Sequence, residues 1–253
     1  MRYQPRADVM VDAGEKMAGL PAPVARYFAF ALSANRPHIT KARATWVGTF
    51  LTKRDAKPSA FTAVQHFTVR PPGFVWDAKI KMLPLVPVFV RDSYVDGDGA
   101  MYARVAGLIP MTDQRGTREI AEASLQRFLG ECVWLPTALL PGSGVEWTAK
   151  DDDTARATLT DRGNTASVEF RFGERGEITG CNAMRQRDVD GEPVLTPWRT
   201  RTCDYVRVDG MRIPRYAEAA WMLPCGPLTY WRGRLDRIAY EYETPVSRHV
   251  GAR

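Results

Sequence analysis

The chain has 253 residues, of which 45% are hydrophobic and 25% are charged. This balance is typical of a globular protein with enough apolar side chains for a core, and it excludes a disordered or collagen-like chain. The formal net charge of +6 is spread along the chain, so it indicates no particular partner. Composition therefore defines a class of chain and leaves its function open.

Two long stretches are nearly free of charge, residues 82–90 and 132–145. Both contain prolines and are shorter than the roughly 18 to 20 apolar residues of a membrane helix. The first twenty residues alternate charged with apolar side chains and lack the unbroken apolar segment of a signal peptide. We therefore expect no membrane span and a cytoplasmic location.

Metal and cofactor signatures are also missing from the sequence. The three histidines are scattered, and the four cysteines are widely separated, which disfavours a zinc site and a disulfide framework. The cysteines are Cys132, Cys181, Cys203 and Cys225. No Walker sequence and no G-x-G-x-x-G occurs. The sequence predicts neither a metal nor a cofactor.

The N-terminal region has helical periodicity. Apolar residues recur at helical spacing from Arg6 to Leu32, and the prolines at 21 and 23 divide the segment into two predicted helices. The second, over residues 24–32, is apolar on nearly every side and should pack against a large surface. After Pro37 the hydrophobic period changes to two, which indicates strands.

Five strand-like runs follow, rich in aromatic and β-branched residues. They cover Ile39 to Leu51, Phe61 to Arg70, Phe74 to Met82, Val88 to Val95 and Ala100 to Ile109. Two Asp-Gly dipeptides lie between the last two runs. Because these residues accept the positive φ of a tight turn, the two runs should form an antiparallel hairpin.

A central helix is predicted near residues 117–131. Thr117 is a suitable N-cap, and an apolar stripe should place the helix on the sheet. The stripe consists of Ile120, Ala121, Ser124, Leu125, Phe128 and Leu129. The proline-broken segment 133–141 that follows is either a lid or plug over the sheet or a buried connector.

Seven further runs of period two complete the chain between Val145 and Tyr242, separated by turn sequences. Together the runs predict an α+β fold that is mainly antiparallel β. A sheet of about 10–12 strands must curl, giving a large curved sheet or incomplete β-barrel. We expect one domain over 1–253, with a helical lead-in at 1–36, the sheet over 37–253, and helices covering the concave face.

Several segments resemble an uncharacterised bacterial protein family. They include LPAPVARYFAFAL, VRDSYVDGDGAMYARVAG and VWLPTALLP. The order of parts, with R-P-P-G-F-x-W-D at 70–77 and D-G-x-x-I-P at 209–214, is also similar to that of lipoprotein carriers of the LolA type. That likeness implies helices over a hydrophobic cavity, which the carriers use for acyl chains and a violacein-pathway relative uses for cofactor-free chemistry.

The predicted function is binding of a hydrophobic small molecule or acyl chain in such a cavity. Aromatic residues on the strands and in segment 133–141 are the candidate lining, and one arginine is a candidate for orienting the ligand. These ligand-binding candidates are Trp76, Tyr94, Tyr102, Trp134, Tyr216, Trp221 and Arg70. Arginines at alternate strand positions are typical of a solvated outer face, so we expect no nucleic-acid partner. Nothing in the sequence decides the oligomeric state.

The alternative is a cofactor-independent enzyme that moves a proton on an aromatic or polyketide-like metabolite. His66, Asp92 and Glu218 are the catalytic candidates because each alternates with apolar or mixed neighbours on a predicted strand. His66 is otherwise a structural histidine. Glu218 is otherwise the partner of a nearby arginine.

Overall fold

The computed structural model describes residues 19–33, 37–83, 86–189 and 191–244. Within these ranges the chain forms two helices and thirteen strands. They are α1 (Ala22–Ala31), β1 (Ile39–Phe50), β2 (Ser59–Thr68), β3 (Gly73–Leu83), β4 (Val86–Val95), β5 (Asp98–Val105), β6 (Ile109–Arg115), α2 (Arg118–Glu131), β7 (Val145–Ala149), β8 (Thr154–Asp161), β9 (Asn164–Phe172), β10 (Ile178–Val189), β11 (Glu192–Val208), β12 (Met211–Leu223) and β13 (Gly226–Tyr242).

All thirteen strands belong to one antiparallel sheet, in the order β6-β5-β4-β3-β2-β1-β13-β12-β11-β10-β9-β8-β7. The sheet consists of two meanders, β1 to β6 and β7 to β13. The two meanders are joined by the pairing of β1 with β13. This ladder extends from the pair Ile39–Tyr242 to the pair Phe50–Trp231. The sheet ends in β6 and β7 and does not close, which confirms the predicted fold class.

The first meander has six strands, where the sequence predicted five. The predicted run over residues 100–109 ends at a turn at Ala106 and Gly107, whose φ angles are 51° and 76°, and the strand that follows the turn, β6, was not predicted. An alanine rarely adopts positive φ, so the pattern did not reveal this turn. The seven strands of the second meander are confirmed.

Helix α1 confirms the second predicted helix, with prolines at its start. It buries Val24, Tyr27, Phe28 and Ala31, and the Tyr27 ring lies 6.1 Å from that of Phe172. The first predicted helix lies outside the described residues. No helix in the described ranges is long and apolar enough to cross a membrane.

Helix α2 confirms the predicted central helix, with the Thr117 hydroxyl accepting a hydrogen bond of 3.3 Å from the Ile120 N–H. Its apolar stripe, apart from half-buried Ile120, is buried against strands of both meanders. At Gly99 of β5 a Cβ would lie 2.6 Å from the Ile120 carbonyl oxygen. A residue without a side chain is therefore required where the helix backbone touches the sheet.

The segment after α2, which we call the connector (132–144), consists of three short 3-10 turns. Every residue from Cys132 to Leu140 is buried. The Trp134 indole N–H donates to the Pro214 carbonyl at 2.8 Å, and its ring lies 4.7 Å from that of Trp46. Together α2 and the connector fill most of the concave face.

Two hairpins from opposite meanders meet beside the N-terminus of α2. The Tyr94 hydroxyl donates to the Asp161 carboxylate at 2.8 Å and accepts from the Asn164 side chain at 3.2 Å. Asn164 also donates to the Gly97 carbonyl at 2.8 Å. Since Tyr94 is fully buried, this link supplies polar partners where water has little access.

Replacing Tyr94 by Phe keeps the ring and removes the linking hydroxyl. We expect the free energy of unfolding to fall by about 1–2 kcal/mol, because Asp161 and Asn164 each lose a partner in a poorly hydrated site. Urea titration measures the change. Tyr102→Phe is the control because that hydroxyl has only a 3.4 Å contact with exposed Arg115. An equal loss in the control would contradict the assignment.

The effect of Tyr94→Phe on stability should also depend on pH. Burial raises the pKa of Tyr94 to about 12, whereas a tyrosine in an unfolded chain titrates near pH 10. Because the pKa is higher in the folded state, the contribution of the Tyr94 hydroxyl to the free energy of unfolding is fully present below pH 10. It is lost as the pH approaches 12. The stability difference between the wild type and Tyr94→Phe should therefore shrink over this window, measured by urea titrations at pH 9 to 12.

Candidate functional site

Four large aromatic side chains on the concave face are only half-buried. We call Phe50, Trp221, Tyr230 and Trp231 the aromatic patch. The Trp221 and Tyr230 rings stack at 5.7 Å with their planes 21° apart, and Phe50 lies 6.0 Å from Tyr230. The Trp231 ring stacks on that of buried Phe61 at 5.9 Å. The patch is thus a continuous, partly accessible apolar surface.

A pair of glycines allows these rings to lie against the sheet. Gly48 and Gly233 are opposite each other in the β1–β13 ladder. A Cβ at Gly233 would lie 2.1 Å from the Trp231 ring, and one at Gly48 would lie 2.8 Å from the Phe61 ring. Glycine is therefore needed at both positions for the rings to reach the backbone.

A charged group lies between α2 and the first meander. The ionic cluster consists of Arg127, Asp92, Glu131 and Gln65. Arg127 pairs with the Asp92 carboxylate and, at 2.9 Å, with that of Glu131. Gln65 donates to the other Glu131 oxygen at 2.7 Å. Because the three ionised side chains are only 17–19% exposed, each depends on the others for its partner.

Arg127 also connects the cluster to the aromatic surface. Its guanidinium carbon lies 4.7 Å from the centre of the Phe74 ring and 5.2 Å from that of Trp76. Burial alone would lower the pKa of Arg127, but the charges of Glu131 and Asp92 raise it above the ordinary arginine value. The side chain is therefore a permanent cation within an aromatic setting.

Trp198 of β11 extends this arrangement to the second meander. Its indole N–H donates to the Tyr230 hydroxyl at 3.0 Å. The Arg185 guanidinium lies 4.7 Å from the Trp198 ring, and the same side chain donates to the Ala123 carbonyl of α2 at 2.9 Å. The patch, Trp198 and the ionic cluster thus form one region of mixed aromatic and charged character.

The structure brings two of the predicted ligand-binding residues to this region. Trp76 lies beside Arg127, and Trp221 is part of the aromatic patch. Tyr94 and Trp134 are buried in the packed interior. Arg70 lies elsewhere, donating to the Gly142 carbonyl.

The remaining two ligand-binding candidates, Tyr102 and Tyr216, lie on the outer face. Tyr102 is opposite Arg91, which pairs with Asp77, and the Arg115 guanidinium lies 5.6 Å from its ring. Tyr216 is opposite exposed Arg234 in the β12–β13 ladder. Neither side chain reaches the aromatic patch.

The three catalytic candidates also lie in different parts of the structure. His66 is exposed on the outer face of β2, whereas its neighbour Gln65 is buried. Glu218 accepts a 2.6 Å hydrogen bond from Tyr216 and pairs with Arg232 at 3.3 Å. Burial and this carboxylate raise the pKa of Tyr216 to about 12. Asp92 lies in the ionic cluster.

Two concavities lie away from the patch. An apolar cavity of about 130 Å³ adjoins Arg70 and the connector. An open cleft of about 620 Å³ lies beside α1, lined by Arg26, Ala29, Phe30, Glu174, Arg175, Tyr205 and Arg212. Its arginines already have partners, since Arg26 and Arg212 donate to backbone carbonyls and Arg175 pairs with Glu177.

Sequence reasoning did not single out Arg127, Glu131, Gln65, Trp198, Tyr230 or Arg185. One signal was present, because Arg127 and Glu131 are four residues apart on the predicted helix and therefore share a face. Nothing local indicated that this face meets Asp92 and Gln65. Among the residues that the structure describes, no group of three His, Cys, Asp or Glu side chains could hold a metal ion.

These features define a class of protein, an open curved antiparallel sheet filled on its concave face by a helix and a buried connector. The family described as "Family of unknown function (DUF6544)" matches residues 10–233, and the chain belongs to that family. The predicted membership of an uncharacterised family is confirmed. A search of curated protein sequences gave no significant match.

Several solved structures are similar to the chain, among them the following three. A LolA superfamily protein from Nitrosomonas europaea is 9% identical, with a TM-score of 0.45, covering 90% of this chain and 96% of that one. A DUF1329 family protein from Desulfovibrio piger is 10% identical, with a TM-score of 0.44 and coverages of 85% and 88%. A β-barrel-like DUF1849 protein from Brucella abortus is 16% identical, with a TM-score of 0.25 and coverages of 81% and 100%.

The ionic cluster can be tested by removing its cation. Arg127→Met leaves the Asp92 and Glu131 carboxylates poorly hydrated and without a cation, so we expect a loss of about 3 kcal/mol in the free energy of unfolding. Adding Asp92→Asn and Glu131→Gln should recover part of that loss. Urea titration measures both changes.

Helix α2 offers a matched control in Arg118, which pairs with Glu122 at the same i,i+4 spacing and the same 2.9 Å. Its side chain is 69% exposed, so Arg118→Met should cost no more than about 0.5 kcal/mol. Similar losses in the two variants would show that burial of the Arg127 cluster contributes nothing to stability.

Proposed function

We propose that the protein binds a hydrophobic small molecule or acyl chain on the aromatic patch of its concave face. The supporting observation is that Phe50, Trp221, Tyr230 and Trp231 stay half-buried where α2 and the connector bury their neighbours. A contiguous accessible apolar surface within a concavity is characteristic of a binding site. Aromatic rings supply large contact areas with little loss of conformational entropy on binding.

The other concavities fit this function less well. The cavity beside Arg70 measures about 130 Å³, below the roughly 300 Å³ of a typical small-molecule site. The larger cleft beside α1 is lined mainly by charged side chains. An apolar ligand gains free energy by covering apolar surface, so the aromatic patch is the better site.

The alternative function, a cofactor-independent enzyme, retains one candidate near the patch. Asp92 lies on the concave face and contacts Arg127, whose guanidinium lies 5.2 Å from the Trp76 ring. His66 and Glu218 lie on the outer face. If Asp92 moves a proton, Asp92→Asn should abolish turnover and leave substrate affinity nearly unchanged.

Binding can be measured with N-phenyl-1-naphthylamine, an uncharged probe that fluoresces in apolar surroundings. The wild type should bind it, and the double variant Trp221→Ala, Tyr230→Ala should bind at least 10-fold more weakly, because its two stacked rings are removed. Such a change corresponds to about 1.4 kcal/mol. Fluorescence titration gives both affinities.

Tyr102→Ala is the matched control, since it removes a half-buried aromatic side chain from the outer face. Its affinity for the probe should equal that of the wild type. Circular dichroism and thermal unfolding show whether each variant is folded. Loss of binding in the control as well as in the double variant, or no binding by the folded wild type, would overturn the proposal.

A further inference from the structure

We propose that the ligand is an amphiphile whose anionic head group binds Arg185 and Arg187, while its apolar part covers the aromatic patch. The inference rests on the proposed function and adds the chemical class of the ligand. Both arginines lie on β10, opposite Thr196 and Val194 of β11.

The first argument is position. Arg185 lies against the Trp198 ring at 4.7 Å, and Trp198 is hydrogen-bonded to Tyr230 of the aromatic patch. One indole ring therefore separates the guanidinium from the apolar surface. A ligand with a charged end and a hydrocarbon chain can contact both at once.

The second argument is unused hydrogen-bonding capacity. The Nε atoms of Arg185 and Arg187 are buried and have no hydrogen-bond partner among the described residues. Within the same ranges Arg187 makes no ion pair. Buried polar atoms in folded proteins almost always have partners. An anionic oxygen from a ligand would satisfy donors that the described residues leave unused.

The third argument is charge. Two carboxylates on this side of the sheet, Asp92 and Glu131, are already bound by Arg127 and Gln65. Within the described ranges no carboxylate pairs with Arg185 or Arg187. Both positive charges can therefore attract an anion, and the concave setting strengthens that attraction.

The fourth argument is access. The ladder between β11 and β12 begins at Trp198 and Trp221, whereas β11 pairs with β10 as far as Glu192. The β10–β11 hairpin thus projects beyond β12. Arg187 lies in this hairpin, on the same face of β10 as Arg185. A head group can approach the two arginines from that face.

The inference predicts that charge on the head group increases affinity. We would displace N-phenyl-1-naphthylamine from the wild type with dodecanoic acid and with its methyl ester at pH 8, where the acid is ionised. The acid should bind at least 10-fold more tightly than the ester, and its advantage should decline with added salt. Dodecyl phosphate identifies the chemical group that carries the charge. If it binds more tightly than dodecanoate, the head group is a phosphate, and if it binds more weakly, the head group is a carboxylate.

The arginines are tested by Arg187→Gln alone and together with Arg185→Gln. The preference for acid over ester should fall several-fold in the single variant and to less than about 3-fold in the double variant, while affinity for the ester is retained. Arg199→Gln is the matched control, because Arg199 is exposed on the outer face beside Trp198. Its preference should match that of the wild type.

The two proposals fail in different ways. Equal displacement by acid and ester overturns the anionic head group, and a preference that survives in the double variant overturns its binding to Arg185 and Arg187. Either result leaves the hydrophobic site intact. No binding of the uncharged probe by the folded wild type overturns the site itself. Since Arg187 has no ion pair within the described ranges, its single variant should fold like the wild type, which thermal unfolding checks.

Discussion

Covering the concave face of the sheet is the constraint on which the rest of this structure depends. An open sheet of thirteen strands presents a large apolar surface, and leaving it in water would cost about 25 cal/mol for each Å². Helix α2 and the connector supply the cover. The connector is buried from Cys132 to Leu140, and its Trp134 packs on Trp46 where the two meanders join.

The candidate site follows from where that cover ends. Helix α2 stops at Glu131, and the concave surface beyond it carries Trp221 and Tyr230 with their rings half-buried. The polar side of the helix meets the sheet at the same place, which brings Arg127 to Asp92. Apolar and charged groups thus lie side by side, which suits a ligand with two kinds of surface.

The predicted site residues show what a sequence pattern can and cannot predict about a site. Alternation along a strand correctly grouped residues by face, since Glu218 and Tyr216 do lie together and form a 2.6 Å hydrogen bond. It did not tell which face is concave. Trp76 and Tyr94 share the concave side, yet Tyr94 is sealed by the β8–β9 hairpin while Trp76 lies under Arg127.

The sequence by itself determined every strand except β6, the turns between most of them, and helix α2 with its Thr117 cap, because each depends on neighbours within a few residues. The tertiary structure decided the pairing of β1 with β13, the burial of the connector and the meeting of Arg127 with Asp92. Those contacts join residues distant in the chain, and their free energy comes from burial and charge pairing, which leave no local pattern.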